Sequence, residues 1–186
     1  IFTCALLNSQ PMGFYAPAQI VRDAKEHGVE VRAVSINDSY WDNTMEPDGR
    51  GGLALRLGFR QIKGLREEDA VWITAARGNG YLSVEDVWRR AGAPPVVLTR
   101  LAEADVFAPL RLSRRDALWQ AKAIVADKPM PLFAGDMDGE GSNEPTSQLP
   151  VMSLSEEMVE DYVTLRLSLR AHPIALLRPV LTPASN

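Results

Sequence analysis

Apolar positions recur along the chain in two periods, and the change from one to the other divides it. Ile20, Val21 and Ala24 fall at intervals that place them on one side of a helix. Pro17 suits the first turn of that helix and Gly28 the position just beyond its end, so the spacing predicts a helix from Pro17 to His27. Ahead of it, Phe2–Asn8 reads as the closing turns of a buried helix, and Pro11, Gly13 and Pro17 break the chain there. Val29-Glu30-Val31-Arg32-Ala33-Val34 alternates apolar with polar residues, the pattern of a short strand. Tyr40–Met45 and Leu53–Leu57 are further extended stretches, and Pro47-Asp48-Gly49 between them predicts a hairpin turn.

From Ile62 onward the period becomes helical. Glu67–Arg77 is one helix, stopped by Gly78-Asn79-Gly80. Ser83, with Asp86 three residues later, caps a second that Gly92 ends. Pro94-Pro95 opens a third through Ala104, and Ser113 with Asp116 opens a fourth to about Ala126. Residues 127–150 lose this period and read as a flexible connector of Pro, Gly, Ser and acidic residues, interrupted by the apolar cluster Met130–Phe133. Ser155 with Glu156 and Glu157 predicts the start of a last long helix ending before Pro173, because carboxylates favour the N-terminal end of the helix dipole. The tail from Leu181 reads as frayed. The expected divisions are 1–57, 58–126, 127–150 and 151–186. The fold class is mainly α with a small β element.

Composition narrows the class. The chain has 186 residues, 46% apolar and 24% charged, the balance of an ordinary globular protein. No apolar run is long enough to span a bilayer; Leu165–Leu169 is broken by Arg166. Ile1-Phe2-Thr3-Cys4 lacks the basic start of a secretory leader, and the chain reads as an excised internal piece. Cys4 is alone, and His27 and His172 are far apart, so neither a disulfide framework nor a metal site is expected. A reducing, cytoplasmic setting fits. Net charge is −4, but it is unevenly spread. Residues 1–49 hold three basic and seven acidic groups, 50–128 fourteen and nine, and 129–186 three and eight. A basic middle between acidic flanks is what a surface that neutralises phosphates requires.

Within that middle, Leu57-Gly58-Phe59-Arg60-Gln61-Ile62-Lys63-Gly64-Leu65-Arg66 precedes a helix whose buried face carries Ala70 and Ile73, which predicts a helix-hairpin-helix. Such a turn holds duplex DNA through backbone N–H groups aimed at phosphate oxygens. Gly64 allows the close approach, Leu65 plugs the gap between the helices, and Lys63 supplies a mobile point charge. A second unit follows: Val97–Ala104, the turn Asp105-Val106-Phe107, and a return helix with Arg111, Arg114 and Arg115 near its start. The candidate DNA contacts are therefore Arg60, Lys63, Gly64, Leu65, Arg66, Arg111, Arg114 and Arg115. Two features point the other way. Arg66 stands where a second glycine would lie, and Glu67-Glu68-Asp69 put three carboxylates where a phosphate would dock. Both hairpins can equally be folding units that keep the shape with a weaker grip. Gly49-Arg50-Gly51-Gly52 lacks the Lys-Ser/Thr of a phosphate loop, and three of the four tryptophans fit core or half-core helix positions.

Taken in order, these stretches resemble the alpha subunit of the bacterial C-family DNA polymerases, and more closely the error-prone branch used in translesion synthesis. Phe2–Gln10 resembles the close of the fingers region, and Val31–Asn37 with Tyr40–Leu57 the short strands after it. Gly58–Gly64 is similar to the glycine-rich lead into the family's tandem helix-hairpin-helix. Arg77-Gly78-Asn79-Gly80-Tyr81, then Glu85–Arg90, follow its pattern of glycine, aromatic and acidic-hydrophobic helix ending in basic residues. Leu101–Phe107 looks like the second hairpin, and Leu169-Arg170-Ala171-His172-Pro173-Ile174 resembles the element just before a nucleotide-binding OB domain.

The resemblance implies a tandem helix-hairpin-helix, a connector and a C-terminal helical segment. It also implies a parent nucleotidyltransferase that extends primers in DNA replication, repair and damage tolerance through Mg²⁺-dependent phosphoryl transfer. Its catalytic aspartates would lie upstream in the palm, so no cofactor and no polymerase activity are expected of this segment alone. Asp136-Met137-Asp138 sits in the connector and solvates it. The resemblance also places Met130-Pro131-Leu132-Phe133 where the replicative family carries a sliding-clamp peptide, with Pro129 in place of its glutamine. Leu132 and Phe133 are thus either clamp or accessory-protein contacts or a staple of the connector onto its own domain. Two functions follow: non-sequence-specific duplex binding behind the polymerase site, or a protein-docking module that tethers the polymerase to a clamp or accessory translesion protein.

Overall fold

A computed structural model of the chain describes residues 1–126 and 149–176. Its elements, in order, are α1 (Phe2–Asn8), α2 (Pro17–Glu26), β1 (Val31–Arg32), β2 (Thr44–Pro47), β3 (Leu53–Arg56), α3 (Glu67–Ala76), α4 (Val84–Ala91), α5 (Pro95–Glu103), α6 (Arg114–Ala126) and α7 (Leu154–Leu165). Two single 3₁₀ turns, Phe59–Gln61 and Ala108–Leu110, precede α3 and α6. The fold is mainly α with one small sheet, as the periodicity predicts.

The sheet has the order β1-β3-β2. β2 runs antiparallel to β3, with Met45 opposite Leu55, and β1 runs parallel to it, with Val31 opposite Leu55. The Asp48 carboxylate makes the hairpin turn by accepting the N–H groups of Arg50 (2.7 Å) and Gly52 (2.8 Å). Those two bonds hold its carboxyl below the ordinary carboxylate range. Ala54 and Leu55 are both fully buried although neighbours in a strand point to opposite faces, so β3 is covered on both sides. From β3 one continuous core runs through Leu57, Phe59 and Ile62 into the helices, where Ile73, Val87, Leu98, Leu101 and Phe107 complete it.

A polar clasp fixes the connection between the sheet and the first hairpin. Asn8 and Asn43 bond each other reciprocally, Asn8 Nδ2 to the Asn43 carbonyl at 2.9 Å and Asn43 N–H to Asn8 Oδ1 at 2.9 Å. Asn43 Oδ1 then accepts the Gly58 N–H at 3.0 Å. A Cβ at position 58 would meet the Trp41 carbonyl oxygen at 2.3 Å, so only glycine fits there. This anchoring explains why Tyr40–Met45 does not form the expected strand: Tyr40 and Trp41 give their carbonyls to Phe59 and Arg60, and β2 starts only at Thr44.

Other boundaries also move. The first hairpin enters through a 3₁₀ turn instead of a full helix. Ser153, not Ser155, caps α7: its Oγ accepts from Glu156 N–H while Glu156 Oε2 accepts the Ser153 N–H at 2.7 Å. That helix stops at Arg166, which takes a left-handed conformation (φ 61°), well before Pro173. Of α1 only Leu7 is buried. Trp72 and Trp119 face outward, contrary to the core positions their spacing suggests. By contrast, Gly28 after α2, Ser83 before α4 and Gly92 after it stand as read.

Candidate nucleic-acid interface

The first hairpin is built from a spacing of buried anchors. Phe59, Ile62, Leu65, Ala70 and Ile73 all point inward, and between them Lys63 and Gly64 form the exposed tip. Gly64 has φ +78°, a conformation that L side chains adopt at a cost, which is why glycine stands there. Leu65 fills the gap behind the tip and is 7% exposed. Arg66 is the residue before α3, and no side chain caps that helix. Among the described residues, the N–H groups of Gly64, Arg66, Glu67 and Glu68 meet no acceptor. A turn and a helix N-terminus thus present several N–H donors together, the arrangement that suits a phosphate oxygen.

Two partners hold this tip from behind. The Lys63 N–H donates to the Thr164 carbonyl near the end of α7 at 2.8 Å. Arg100, from α5, donates Nη1 to the Gly64 carbonyl. The Lys63 side chain itself stays exposed. Arg66 is 69% exposed and pairs with Asp69 at 3.2 Å, which takes one of the three carboxylates of the first turn out of play. Arg60 points elsewhere: its guanidinium pairs with Asp42 at 2.5 Å and reaches the Gln10 carbonyl, so it braces the clasp region.

The second hairpin, α5 to α6, keeps the shape and differs in chemistry. Asp105 takes the left-handed position (φ 57°) that a glycine would fill, and Val106 is the fully buried plug. The Asp105 N–H is already bonded to the Ala102 carbonyl, and its carboxylate pairs with Arg170 at 2.5 Å. Burial pushes the Asp105 carboxyl up, and the neighbouring Arg114 and Arg170 charges only partly oppose this. Behind it lies a charge cluster. Arg114 is buried and pairs with Asp161 and Glu157 of α7, and Ser168 donates to the other Asp161 oxygen at 2.7 Å. Arg115 donates to the Pro150 carbonyl and pairs with Glu156.

Of the eight predicted contacts, then, Lys63, Gly64, Leu65 and Arg66 lie together at one tip. Arg114 is turned inward and its charge is spent on α7, so the position read as a DNA contact is a packing position. Arg115 likewise faces α7. Arg111 is exposed in a left-handed conformation (φ 60°) after the second 3₁₀ turn. Leu132 and Phe133 lie outside the described residues. Arg100 was not among the sequence candidates; it meets Gly64 across 36 positions, a contact that no local pattern signals. Among the described residues no group of three or more His, Cys, Asp or Glu could hold a metal ion, and no helix is long and apolar enough to cross a membrane.

Residues 28–117, which hold both hairpin turns, match the family model described as a helix-hairpin-helix motif. The chain is 63% identical over 181 residues to the "Error-prone DNA polymerase" of Ruegeria pomeroyi, covering 97% of this chain and 16% of that protein. It is 53% identical over 186 residues to "Error-prone DNA polymerase 2" of Rhizobium meliloti, covering 96% and 17%. Against "Error-prone DNA polymerase 1" of Agrobacterium fabrum it is 51% identical over 191 residues, again covering 96% and 17%. The chain is thus similar to one segment of these error-prone DNA polymerases and spans about a sixth of the length of the curated relatives it matches.

Proposed function

We propose that this segment grips duplex DNA without reading its sequence, behind the active site of a parent polymerase that copies damaged templates. The observation that carries the reading is the tip at Lys63–Glu68, where a left-handed Gly64 and an uncapped α3 leave N–H donors at the surface that meet no acceptor among the described residues. Donors of this kind address phosphate oxygens and ignore the bases. Lys63 adds a charge that can follow a phosphate. The relatives' printed names support a polymerase parent, and the match to a helix-hairpin-helix supports nucleic acid as partner.

Primer extension, and any Mg²⁺ it uses, would belong to other parts of the parent. The densest described carboxylates, Asp105, Glu157 and Asp161, are neutralised by Arg114 and Arg170, a donor set that does not fit a divalent cation.

Lys63→Glu tests the grip. It is expected to weaken binding to a short duplex by about tenfold while leaving the melting temperature unchanged, because the side chain is exposed. An unchanged affinity would remove Lys63 from the interface. A second reading, a protein-docking module, is favoured by the Glu67-Glu68-Asp69 turn, and failure of the unmodified chain to bind duplex at low salt would support it.

A further inference from the structure

The first hairpin's own side chains do not make an anion site. Lys63 and Arg66 stand against Glu67, Glu68 and Asp69, one positive charge short of neutrality, and Arg66 is partly spent on Asp69. The balancing charge comes from the other hairpin. Arg100 lies on α5 between the buried Leu98 and Leu101, and its guanidinium is laid along the Gly64 backbone. A Cβ built on Gly64 would meet Arg100 Cζ at 3.4 Å, Nε at 3.4 Å and Nη2 at 3.6 Å. Gly64 is required for its positive φ, and these distances show how closely the guanidinium lies against its backbone.

Comparison with the other inward-reaching arginines shows what sets Arg100 apart. Arg90 gives its donors to the Gly80, Ala76 and Arg77 carbonyls and to Asp86, closing the end of α3. Arg77 is buried, donates to the Ser39 carbonyl and lies over the Tyr40 ring. Arg114 is consumed by Asp161 and Glu157. Among the described residues the Arg100 side chain makes one hydrogen bond, to the Gly64 carbonyl, and no ion pair. A guanidinium carries five N–H donors in a planar fork suited to phosphate, and most of Arg100's remain unspent. They lie next to the unpaired N–H groups of the tip.

We propose that Arg100 is a backbone-phosphate ligand of the first hairpin. The tandem then forms one composite phosphate site instead of two: the second hairpin's turn is locked to the segment after α7 by Asp105 and Arg170, while its first helix lends a cation to its neighbour. This rests on the duplex-binding reading above. In it, the bond to the Gly64 carbonyl fixes the guanidinium before DNA arrives, so little side-chain freedom remains to be lost on binding.

The test is a salt series of short-duplex binding with the full 186-residue chain, comparing wild type with Arg100→Gln and Arg89→Gln. Arg100→Gln keeps an N–H donor on a shorter side chain and removes the charge together with the rest of the fork. It is expected to weaken binding about three- to tenfold and to lower the log–log salt slope by about one. Arg89→Gln, the same charge change on an exposed face of α4, leaves both unchanged. Weaker binding with an unaltered slope would mean that Arg100 only shapes the turn, and unaltered binding would mean that it does neither; each overturns the proposal. If wild type does not bind duplex at low salt, the duplex-binding reading fails and the proposal with it. Should Arg100→Gln not fold, the wild-type Arg100 Nε–H resonance decides: it shifts on adding duplex if Arg100 meets phosphate, and absence of a shift overturns the proposal.

Discussion

A Cβ at position 58 would lie 2.3 Å from the Trp41 carbonyl oxygen and 2.4 Å from the Asp42 carbonyl carbon, both backbone atoms that cannot move aside cheaply. Gly58→Ala is therefore expected to cost at least about 2 kcal/mol of stability, the upper range for overpacking a dense site, measured by urea unfolding. Asp48 is a second position where one residue sets a local structure. Its carboxyl is held low by the Arg50 and Gly52 N–H groups, so it titrates at lower pH in the folded chain than in the unfolded one. The stabilisation is present above the ordinary carboxylate pKa and is lost as pH falls through the lowered one. Asp48→Ala should flatten the acid limb of the stability–pH curve, read by thermal melts from neutral to acid pH. An unchanged limb would place the turn's stability elsewhere.

At the scale of elements, α7 is the piece that ties the two hairpins together. Its Thr164 carbonyl takes the Lys63 N–H, and its Asp161 and Glu157 hold Arg114. Arg114 is only 3% exposed, so replacing it with methionine takes from Asp161 its nearest cation and leaves Arg170 alone to face both Asp161 and Glu157. A loss of about 3–5 kcal/mol is expected, measured by urea unfolding. A loss below about 1 kcal/mol would mean the cluster is solvated and α7 is held by its apolar residues. The helices that are legible in sequence are those whose ends carry their own chemistry: Ser83 with Asp86, Gly92, and Gly28 after α2. What escapes is whatever depends on a distant partner. Arg114 and Arg115 look like phosphate contacts beside a turn until α7 folds against them, and Ser153 outcompetes Ser155 because Glu156 reaches back to its N–H. Tyr40–Met45 has the residues of a strand, yet the Asn8–Asn43 clasp and the Gly58 crossing claim its first half. The first hairpin itself was readable, since Phe59, Ile62, Gly64, Leu65, Ala70 and Ile73 lie at local spacing; Arg100 was not, because it arrives from the other hairpin.

For the whole molecule, the net charge of −4 is a poor guide to its partner, because cations and anions are sorted by place. Arg77 and Arg114 are buried, and Arg60, Arg89, Arg90 and Arg115 are paired with carboxylates, so only part of the basic excess of residues 50–128 is left to face outward near the first tip. The surface left for DNA is accordingly small, and the account implies a modest, salt-sensitive grip rather than tight binding. The most direct test is a salt titration of the 186-residue chain on a short primed duplex and on single-stranded DNA of the same length. The account predicts duplex binding at about micromolar Kd in low salt, weaker single-strand binding, and a linear fall of log affinity with log salt whose slope corresponds to about two or three phosphates. Absence of duplex binding at low salt, or binding that salt does not weaken, would contradict it.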